Sequence, residues 1–245
     1  TGGRHGTGLA PKTVHEVHVI VRSSLDLAMR RQLVDTNVAQ ATNARHKRQT
    51  RKVPRSWTAE ELASFLAAAR PHRLHPALHL TACTGMRRGE VAGLKWSDLD
   101  RAAQRLSISR TLQSLAGQPV EFPVKTRTSR RCIDLDDQTM DVLARWRRRL
   151  SRDGLPHDAD DWVFVNPSGR FVNPESISQL FGRLQGGLPE LTRIRFHDLR
   201  HTHASLLIMD GVPVKVVSER LGHANVAFTM HTYQHLLPGM SSAAA

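Results

Sequence analysis

Apolar residues recur at steps of three and four along the first part of the chain, and this spacing predicts an amphipathic helix from Thr13 to about Val34. Its apolar positions are Val14, Val17, Val21, Leu25 and Ala28. A short second helix is predicted near residues 36–46. Because so few apolar residues cannot bury a core of their own, we expect residues 1–53 to be part of a larger helical domain.

The pattern over residues 54–245 predicts a second and larger domain. Thr58-Ala59-Glu60-Glu61 is a capping-box signal, and apolar residues follow it at helical spacing. Further helices are expected at 74–83, 86–94, 137–150, 174–185, 197–210, 213–221 and 225–237. Alternation of apolar and polar residues over 106–112, 120–125 and 131–135 predicts three short strands. The expected fold is mostly α with a small three-stranded antiparallel β-sheet.

The charge of the chain limits its partners. Lys and Arg outnumber Asp and Glu by 35 to 22, which leaves +13 and a pI near 11.1. Such an excess favours a polyanion, most simply nucleic acid, because neutralising phosphates releases counterions. The densest basic run comprises Arg45, Lys47, Arg48, Arg51, Lys52 and Arg55. A run of this kind is typical of a solvated linker, and we interpret it as a linker that also contacts a phosphate backbone.

Compartment and redox chemistry are only coarsely indicated. No apolar run is long enough for a spanning helix and no signal segment opens the chain, so we expect a cytoplasmic protein. The two cysteines, Cys83 and Cys132, are too few for a disulfide framework and form no Cys-x-x-Cys pair.

A polar motif, His197-Asp198-Leu199-Arg200-His201-Thr202-His203, opens one of the predicted helices. His197 and Arg200 are three residues apart and share a helix face, with His201 beside them. Histidines on a helix can ligate zinc, but Asp198 stands where a helical zinc hydrolase has Glu, and Arg200 repels a cation. The motif therefore favours an anion over a metal, with a purely structural helix end as the alternative.

A second motif, Thr84-Gly85-Met86-Arg87-Arg88-Gly89-Glu90, also lies at a predicted helix start. Exposed amides at such a start, together with Arg87, suit a phosphate. Glu90 lies one helical turn from Arg87 and can orient its guanidinium group. This segment is weak support when it is taken alone.

Three more positions are chemically suggestive, although each has an ordinary structural explanation. Lys125 ends a strand and leads into an arginine-rich turn with Arg127 and Arg130, where a lysine is most often solvated. His223 follows a glycine that stops a helix. Tyr233 is the single tyrosine of the chain, and a lone tyrosine near a terminus is usually a packing residue.

Together these motifs resemble the catalytic set of the tyrosine recombinases, the phage integrase family. The matching residues, in chain order, are Arg87, Lys125, His197, Arg200, His223 and Tyr233. The similarity extends over roughly residues 54–240 and is greatest to integrases of temperate phages and integrative mobile elements. It implies a tyrosine-recombinase catalytic domain over 54–245, preceded by a partial helical core-binding domain and basic linker over 1–53.

The resemblance implies a site-specific DNA recombinase that integrates or excises a mobile element through a 3′-phosphotyrosyl intermediate. Tyr233 is then the nucleophile, and Arg87, Arg200 and His223 stabilise the phosphate. Lys125 is the general acid for the leaving oxygen, and His197 assists proton transfer. Glu90 supports Arg87. DNA contacts are expected from the basic linker and from Arg127 and Arg130.

The same resemblance implies which partners the protein uses. They are double-stranded DNA attachment sites, three further copies of the chain in a tetramer on paired sites, and an excisionase or host DNA-bending protein as accessory. No cofactor, metal or membrane is expected, and the site of action is the bacterial cytoplasm near the nucleoid. Because family members carry a complete core-binding domain, we expect this shorter chain to bind DNA weakly and to recombine poorly.

Two alternatives share the fold. One is a catalytically silent or truncated DNA-binding member, which the six filled positions argue against. The other is a related relaxing topoisomerase, which the wording Leu-Gly-His and His-Asp-Leu-Arg-His-Thr disfavours.

Overall fold

Two compact units divide the chain, Thr1–Lys52 and Val53–Ala245. The computed structural model describes residues 9–41, 55–124, 130–223 and 225–234. Each unit is considered by itself below.

The described part of the first unit, residues 9–41, contains two helices, α1 at Pro11–Arg30 and α2 at Val38–Ala41. Asn37 joins them, because its side-chain amide donates hydrogen bonds to the carbonyl of Arg22 at 2.9 Å and to Asp26 Oδ1 at 2.7 Å. Both predicted helices are confirmed where they are described. No residue of α1 is buried, as expected for a helix whose apolar face has too few partners. Its assignment to a core-binding domain stays a prediction.

The described part of the second unit contains eight α-helices. They are α3 Ala59–Ala69, α4 His75–Thr84, α5 Arg88–Ala92, α6 Asp137–Arg152, α7 Pro174–Gly186, α8 Asp198–Met209, α9 Val214–Leu221 and α10 Val226–Tyr233. The predicted capping box starts α3: the Glu61 amide donates to Thr58 Oγ1 at 3.2 Å, and the Thr58 amide donates to the Glu61 carboxylate at 2.9 Å. In the described ranges no helix is long and apolar enough to cross a membrane.

Five short strands in the described ranges form two antiparallel sheets. They are β1 Leu99–Asp100, β2 Arg105–Ile108, β3 Arg110–Leu115, β4 Gln118–Pro123 and β5 Arg131–Asp134. One sheet has three strands in the order β1-β2-β5, with Leu106 opposite Ile133, and the other is the β3-β4 hairpin, with Thr111 opposite Phe122. The predicted class, mostly α with a small three-stranded antiparallel sheet, is confirmed.

The predicted membership of that sheet is wrong. The run 106–112 is two strands that separate at Ser109, and the strand predicted at 120–125 pairs in the hairpin rather than in the three-stranded sheet. Leu106, Ile108 and Leu112 are all buried, so the alternation continues through the break and conceals it. A tight turn at Ala116 and Gly117, both with positive φ, joins β3 to β4 and favours their local pairing.

Two apolar clusters hold the second unit together. The larger one includes the rings of Trp57, Phe65 and Phe181, which pack at tilted angles with centroids 5.0–5.5 Å apart. The smaller one joins α8, α9 and α10 through Ala204, Ile208, Val217, Leu221 and Tyr233. Because Tyr233 is a member of this second cluster, its position depends on how these three helices pack.

Candidate active site

The ends of α4 and α9 hold the most buried arginine of the candidate site. Arg200, which is 3% exposed, donates from Nη1 to the carbonyl of Gly85 at 2.8 Å and from Nη2 to the carbonyl of Leu221 at 2.6 Å. Gly85 ends α4 with a φ of 66°, and a Cβ at this position would lie 2.6 Å from a methyl group of Leu221. Glycine is therefore required here by both backbone conformation and space.

Arg87 lies beside Arg200 and is oriented by Glu90. Its Nη1 donates to Glu90 Oε1 at 2.9 Å, its backbone amide donates to Glu90 Oε2 at 2.8 Å, and its Nη2 reaches the carbonyl of Gly222 at 3.4 Å. The guanidinium groups of Arg87 and Arg200 thus contact consecutive carbonyls, those of Gly222 and Leu221. The sequence motif predicts the salt bridge between Arg87 and Glu90, which lie within one helical turn.

Arg131 is a part of this network that the sequence does not reveal. The sequence predicts Arg131 as the first residue of a strand that follows an arginine-rich turn, and its side chain is only 6% exposed. It donates to both carboxylate oxygens of Glu90, at 3.1 and 2.9 Å, and to the carbonyl of Arg220 at 2.7 Å. The predicted strand that begins at Arg131 is the one sequence signal that could have suggested a role for this side chain beside Glu90.

The electrostatics of the cluster favour an anion. Burial, followed by the positive charge of Arg87 and Arg131, lowers the pKa of Arg200 to about 9. Burial alone would raise the pKa of Glu90, but the hydrogen bonds and charge of Arg131, followed by Arg87, hold it below its ordinary value. One carboxylate therefore faces three guanidinium groups, and a bound phosphate would relieve their mutual repulsion.

Two histidines flank the arginines. His223 directly follows Gly222, which ends α9 with a φ of 69°, and its Nδ1 lies 2.7 Å from Thr229 Oγ1. Burial, and then the charge of Arg200 and Arg87, lowers the pKa of His223 to about 3. A neutral ring that accepts from the Thr229 hydroxyl carries its proton on Nε2, where it can donate to an anion. His197 is exposed at the start of α8.

Tyr233 lies in the apolar cluster of α8, α9 and α10 and is 2% exposed. Its hydroxyl is 2.6 Å from His201 Nδ1, and burial raises the pKa of the phenol above its ordinary value. The sequence predicts His197 as the histidine that serves this phenol. The structure gives that contact to His201, which lies one helical turn later and whose ring is 5.7 Å from that of His197.

A groove of about 850 Å³ extends from these groups between β3 and α7. Its basic and titratable side chains are those of Arg87, Arg88, Arg195, His197 and Glu175, and Glu175 is paired with Arg88 at 2.6 Å. Hydroxyl and amide groups line both walls, at Thr111, Gln113 and Ser114 of β3 and at Asn173 and Ser178 of α7 and its N-cap. A charged rim over polar walls suits a phosphate backbone, because such walls offer hydrogen bonds without requiring one sequence.

The predicted general acid, Lys125, and several predicted DNA contacts lie outside the described residues. These DNA contacts are Arg127, Arg45, Lys47, Arg48, Arg51 and Lys52. Arg130 is described and exposed, and Arg55 is exposed with its guanidinium 3.4 Å from the carbonyl of Arg193. Among the described residues, no three His, Cys, Asp or Glu side chains cluster in a way that could hold a metal ion.

Comparison with known sequences gives one consistent result. Residues 55–239 match the model of the phage integrase family. The chain is 29% identical to the ICEBs1 integrase of Bacillus subtilis, over 95% of this chain and 64% of that protein. It is 28% identical to a XerC-like tyrosine recombinase of Caldanaerobacter subterraneus, over 75% of this chain and 51% of that protein. The chain spans about half to two thirds of the length of these curated relatives.

Solved structures share the fold. The Tn1549 transposon integrase in complex with transposon right end DNA has a TM-score of 0.81 at 20% identity, over 97% of this chain and 79% of that one. A lambda integrase dimer bound to a COC′ core site has a TM-score of 0.62 at 21% identity, over 91% of this chain and 59% of that one. At these identities the similarity establishes the fold of the second unit and does not assign roles to its side chains.

Proposed function

The chain belongs to the phage integrase family, and from this premise we propose that it carries the catalytic domain of a site-specific DNA recombinase. The enzyme cleaves and rejoins DNA through a 3′-phosphotyrosyl link on Tyr233, and it integrates or excises a mobile element. The observation that carries the proposal is the pair of guanidinium groups, Arg87 and Arg200, on the consecutive carbonyls of Gly222 and Leu221.

The arginine pair supplies what phosphoryl transfer requires. Attack on a phosphodiester places extra negative charge on the non-bridging oxygens, and two fixed cations in a partly buried site stabilise that charge. Arg200 is held by two carbonyls and Arg87 by Glu90, so neither guanidinium needs to be ordered when DNA arrives. His223 donates a further hydrogen bond from Nε2 to the same phosphate.

The chemical step is a transesterification. The Tyr233 oxygen attacks phosphorus, a new O–P bond forms, and the bond to the 5′ oxygen breaks. Lys125 gives the leaving oxygen its proton, and a histidine at the start of α8 takes up the phenol proton; the six-residue catalytic set gives this role to His197, on the wall of the groove. Rejoining reverses the step when the 5′ hydroxyl of a partner strand attacks the phosphotyrosine, so no ATP or other cofactor is consumed.

Binding involves a larger surface than the catalytic residues. We propose that duplex DNA follows the groove between β3 and α7, with Arg88 and Arg195 on its phosphates. The basic linker and the turn that contains Arg127 and Arg130 add further phosphate contacts. Four copies of the chain act on two attachment sites, with accessory DNA-bending proteins or an excisionase, in the bacterial cytoplasm.

The test is a covalent-adduct assay with a defined probe. A pool of end-labelled duplexes with random sequence, each nicked in the cleaved strand close to the 3′ side of its centre, traps any phosphotyrosyl product, because the short strand that leaves with the 5′ hydroxyl diffuses away. We expect the parent chain to form a protease-sensitive labelled adduct and Tyr233→Phe to form none while retaining DNA in a gel-shift assay.

The outcomes separate the proposed function from its alternatives. DNA binding without an adduct from the parent chain would favour a catalytically silent member of the fold. An adduct that survives in Tyr233→Phe would exclude Tyr233 as the nucleophile. Relaxation of supercoiled plasmid at many unrelated sequences would favour the topoisomerase alternative.

A further inference from the structure

His201 makes a contact that the six-residue catalytic set does not include. It lies in the first turn of α8, directly after Arg200, and its Nδ1 is 2.6 Å from the Tyr233 hydroxyl. Among the described residues this is the one hydrogen bond of that hydroxyl. The two rings lie 5.9 Å apart, centroid to centroid, so the contact is made through the polar edges. The rest of the phenol is enclosed by apolar side chains of α8, α9 and α10.

The chemistry of this pair depends on which atom carries the proton. Burial, and then the neighbouring His197, lowers the pKa of His201 to about 4; Arg200 and Arg195 act in the same direction, and Asp198 opposes them. His201 is therefore neutral at physiological pH, and its Nδ1 can accept from the phenol O–H. Because burial also raises the pKa of Tyr233, the proton stays on the phenol in the absence of DNA.

A bound phosphodiester changes this balance. Its negative charge between Arg87 and Arg200 offsets the cations that disfavour a protonated His201. As the Tyr233 oxygen bonds to phosphorus, its O–H bond must break, and Nδ1 already lies along that bond. The proton moves to Nδ1, the P–O bond to the 5′ oxygen breaks, and that oxygen takes a proton from the general acid. In the rejoining step His201 returns its proton to the phenol.

We propose that His201 is a catalytic residue that anchors the Tyr233 hydroxyl and accepts its proton during DNA cleavage. This inference rests on the proposed function. It assigns the contact with the nucleophile to the histidine after Arg200 rather than to His197. A simple anchoring role makes a different prediction, because any hydrogen-bond acceptor at the same place would then suffice.

Two substitutions distinguish the roles. His201→Asn keeps an oxygen that can accept a hydrogen bond near the position of Nδ1 but cannot take up a proton. His201→Ala removes both functions. His231→Asn is the matched control, because His231 is an exposed histidine on the same helix as Tyr233. All variants are compared by thermal unfolding and gel shift, so that a folding or DNA-binding defect is recognised.

The main readout is the single-turnover rate of adduct formation on the nicked random-sequence duplex pool. We expect His201→Asn and His201→Ala to slow this rate roughly 100- to 10,000-fold at neutral pH, the contribution typical of general base catalysis. We also expect their rates to rise with pH as hydroxide replaces the missing base, and free imidazole to restore part of the activity of His201→Ala. A His201→Asn variant with the rate and pH profile of the parent would overturn the proposal.

A second readout does not depend on activity. With ¹⁵N-labelled histidine, the Nδ1 resonance of His201 is assigned as the one absent from His201→Asn. We expect Tyr233→Phe to shift this resonance, because it removes the proton that Nδ1 accepts. An unchanged resonance would mean that the contact does not exist. It would overturn the inference about His201 even if the parent still forms the adduct. If the parent forms no adduct although the shift is seen, the proposed function fails, and the catalytic role of His201 fails with it.

Discussion

Replacing Glu90 by Gln tests the buried charge network that orients Arg87. Glu90 is 3% exposed and its partner Arg131 is 6% exposed, and they share hydrogen bonds of 3.1 and 2.9 Å. The substitution keeps the side-chain volume and one acceptor but leaves Arg131 buried without a counter-charge. Removing one partner of such a pair costs about 3–5 kcal/mol, and the retained amide oxygen favours the lower end of that range.

The expected result is a loss of about 3 kcal/mol in the free energy of unfolding of the second unit. For a unit of this size such a loss lowers Tm by roughly 6–12 °C. The pH dependence gives an independent check. Because the folded-state pKa of Glu90 is below its ordinary value, its contribution to stability is complete above the unfolded pKa of about 4.3 and is lost as pH falls through the folded pKa.

Calorimetry of the parent and of Glu90→Gln between pH 7 and pH 3 measures both effects. The Tm difference should persist down to about pH 4 and shrink below it, because the unfolded parent then takes up a proton at Glu90 that the folded parent binds only at lower pH. Asp134→Asn is the control, because Asp134 pairs with Arg105 on the surface, at 72% and 52% exposure, and such pairs contribute below about 1 kcal/mol. Equal Tm losses in the two variants, or a Glu90 effect that does not change with acid, would refute this reasoning.

Two further predictions concern residues that support the site. Gly85→Ala should destabilise the second unit by roughly 2–5 kcal/mol, because it combines a positive φ with a clash against Leu221. Chemical unfolding measures this loss. Gly154→Ala is the control: Gly154 has a similar φ and open space around it, so the loss of stability should be only about 1–2 kcal/mol. Thr229→Val removes the partner of His223 Nδ1 and should slow adduct formation roughly 2- to 10-fold with DNA binding unchanged. Thr232→Val, whose hydroxyl contacts only its own helix backbone at Phe228 among the described residues, is the control, and an equal effect of both valines would contradict the role of Thr229.

Much of the architecture follows from local sequence. The capping box at Thr58 and the glycines at positions 85 and 222 fix helix ends through hydrogen bonds and backbone conformations that involve only neighbouring residues. Apolar spacing locates the helices of the second unit for the same reason. The motifs around Arg87 and Arg200 identify the family, because their order and wording are linear properties of the chain.

Other features depend on contacts between distant residues. Alternation through Ser109 predicts one strand, but the pairing of β2 with β5 and of β3 with β4 is decided by the hairpin turn and by the core. Arg131 directly follows an arginine-rich turn in the sequence, and only its approach to Glu90 across 41 positions makes it a buried partner. A periodic pattern gives the face of an element and leaves open what lies opposite that face.

The sequence by itself determined the fold class, the family and the candidate phosphate-binding residues, since each depends on residue types in a fixed order. Only the tertiary structure decided which histidine meets the nucleophile. His197 and His201 lie one helical turn apart, so their spacing in the sequence does not show which of them contacts Tyr233. The packing of α10 against α8 and α9 through Leu221 and the Tyr233 ring directs the hydroxyl to His201, 32 positions away.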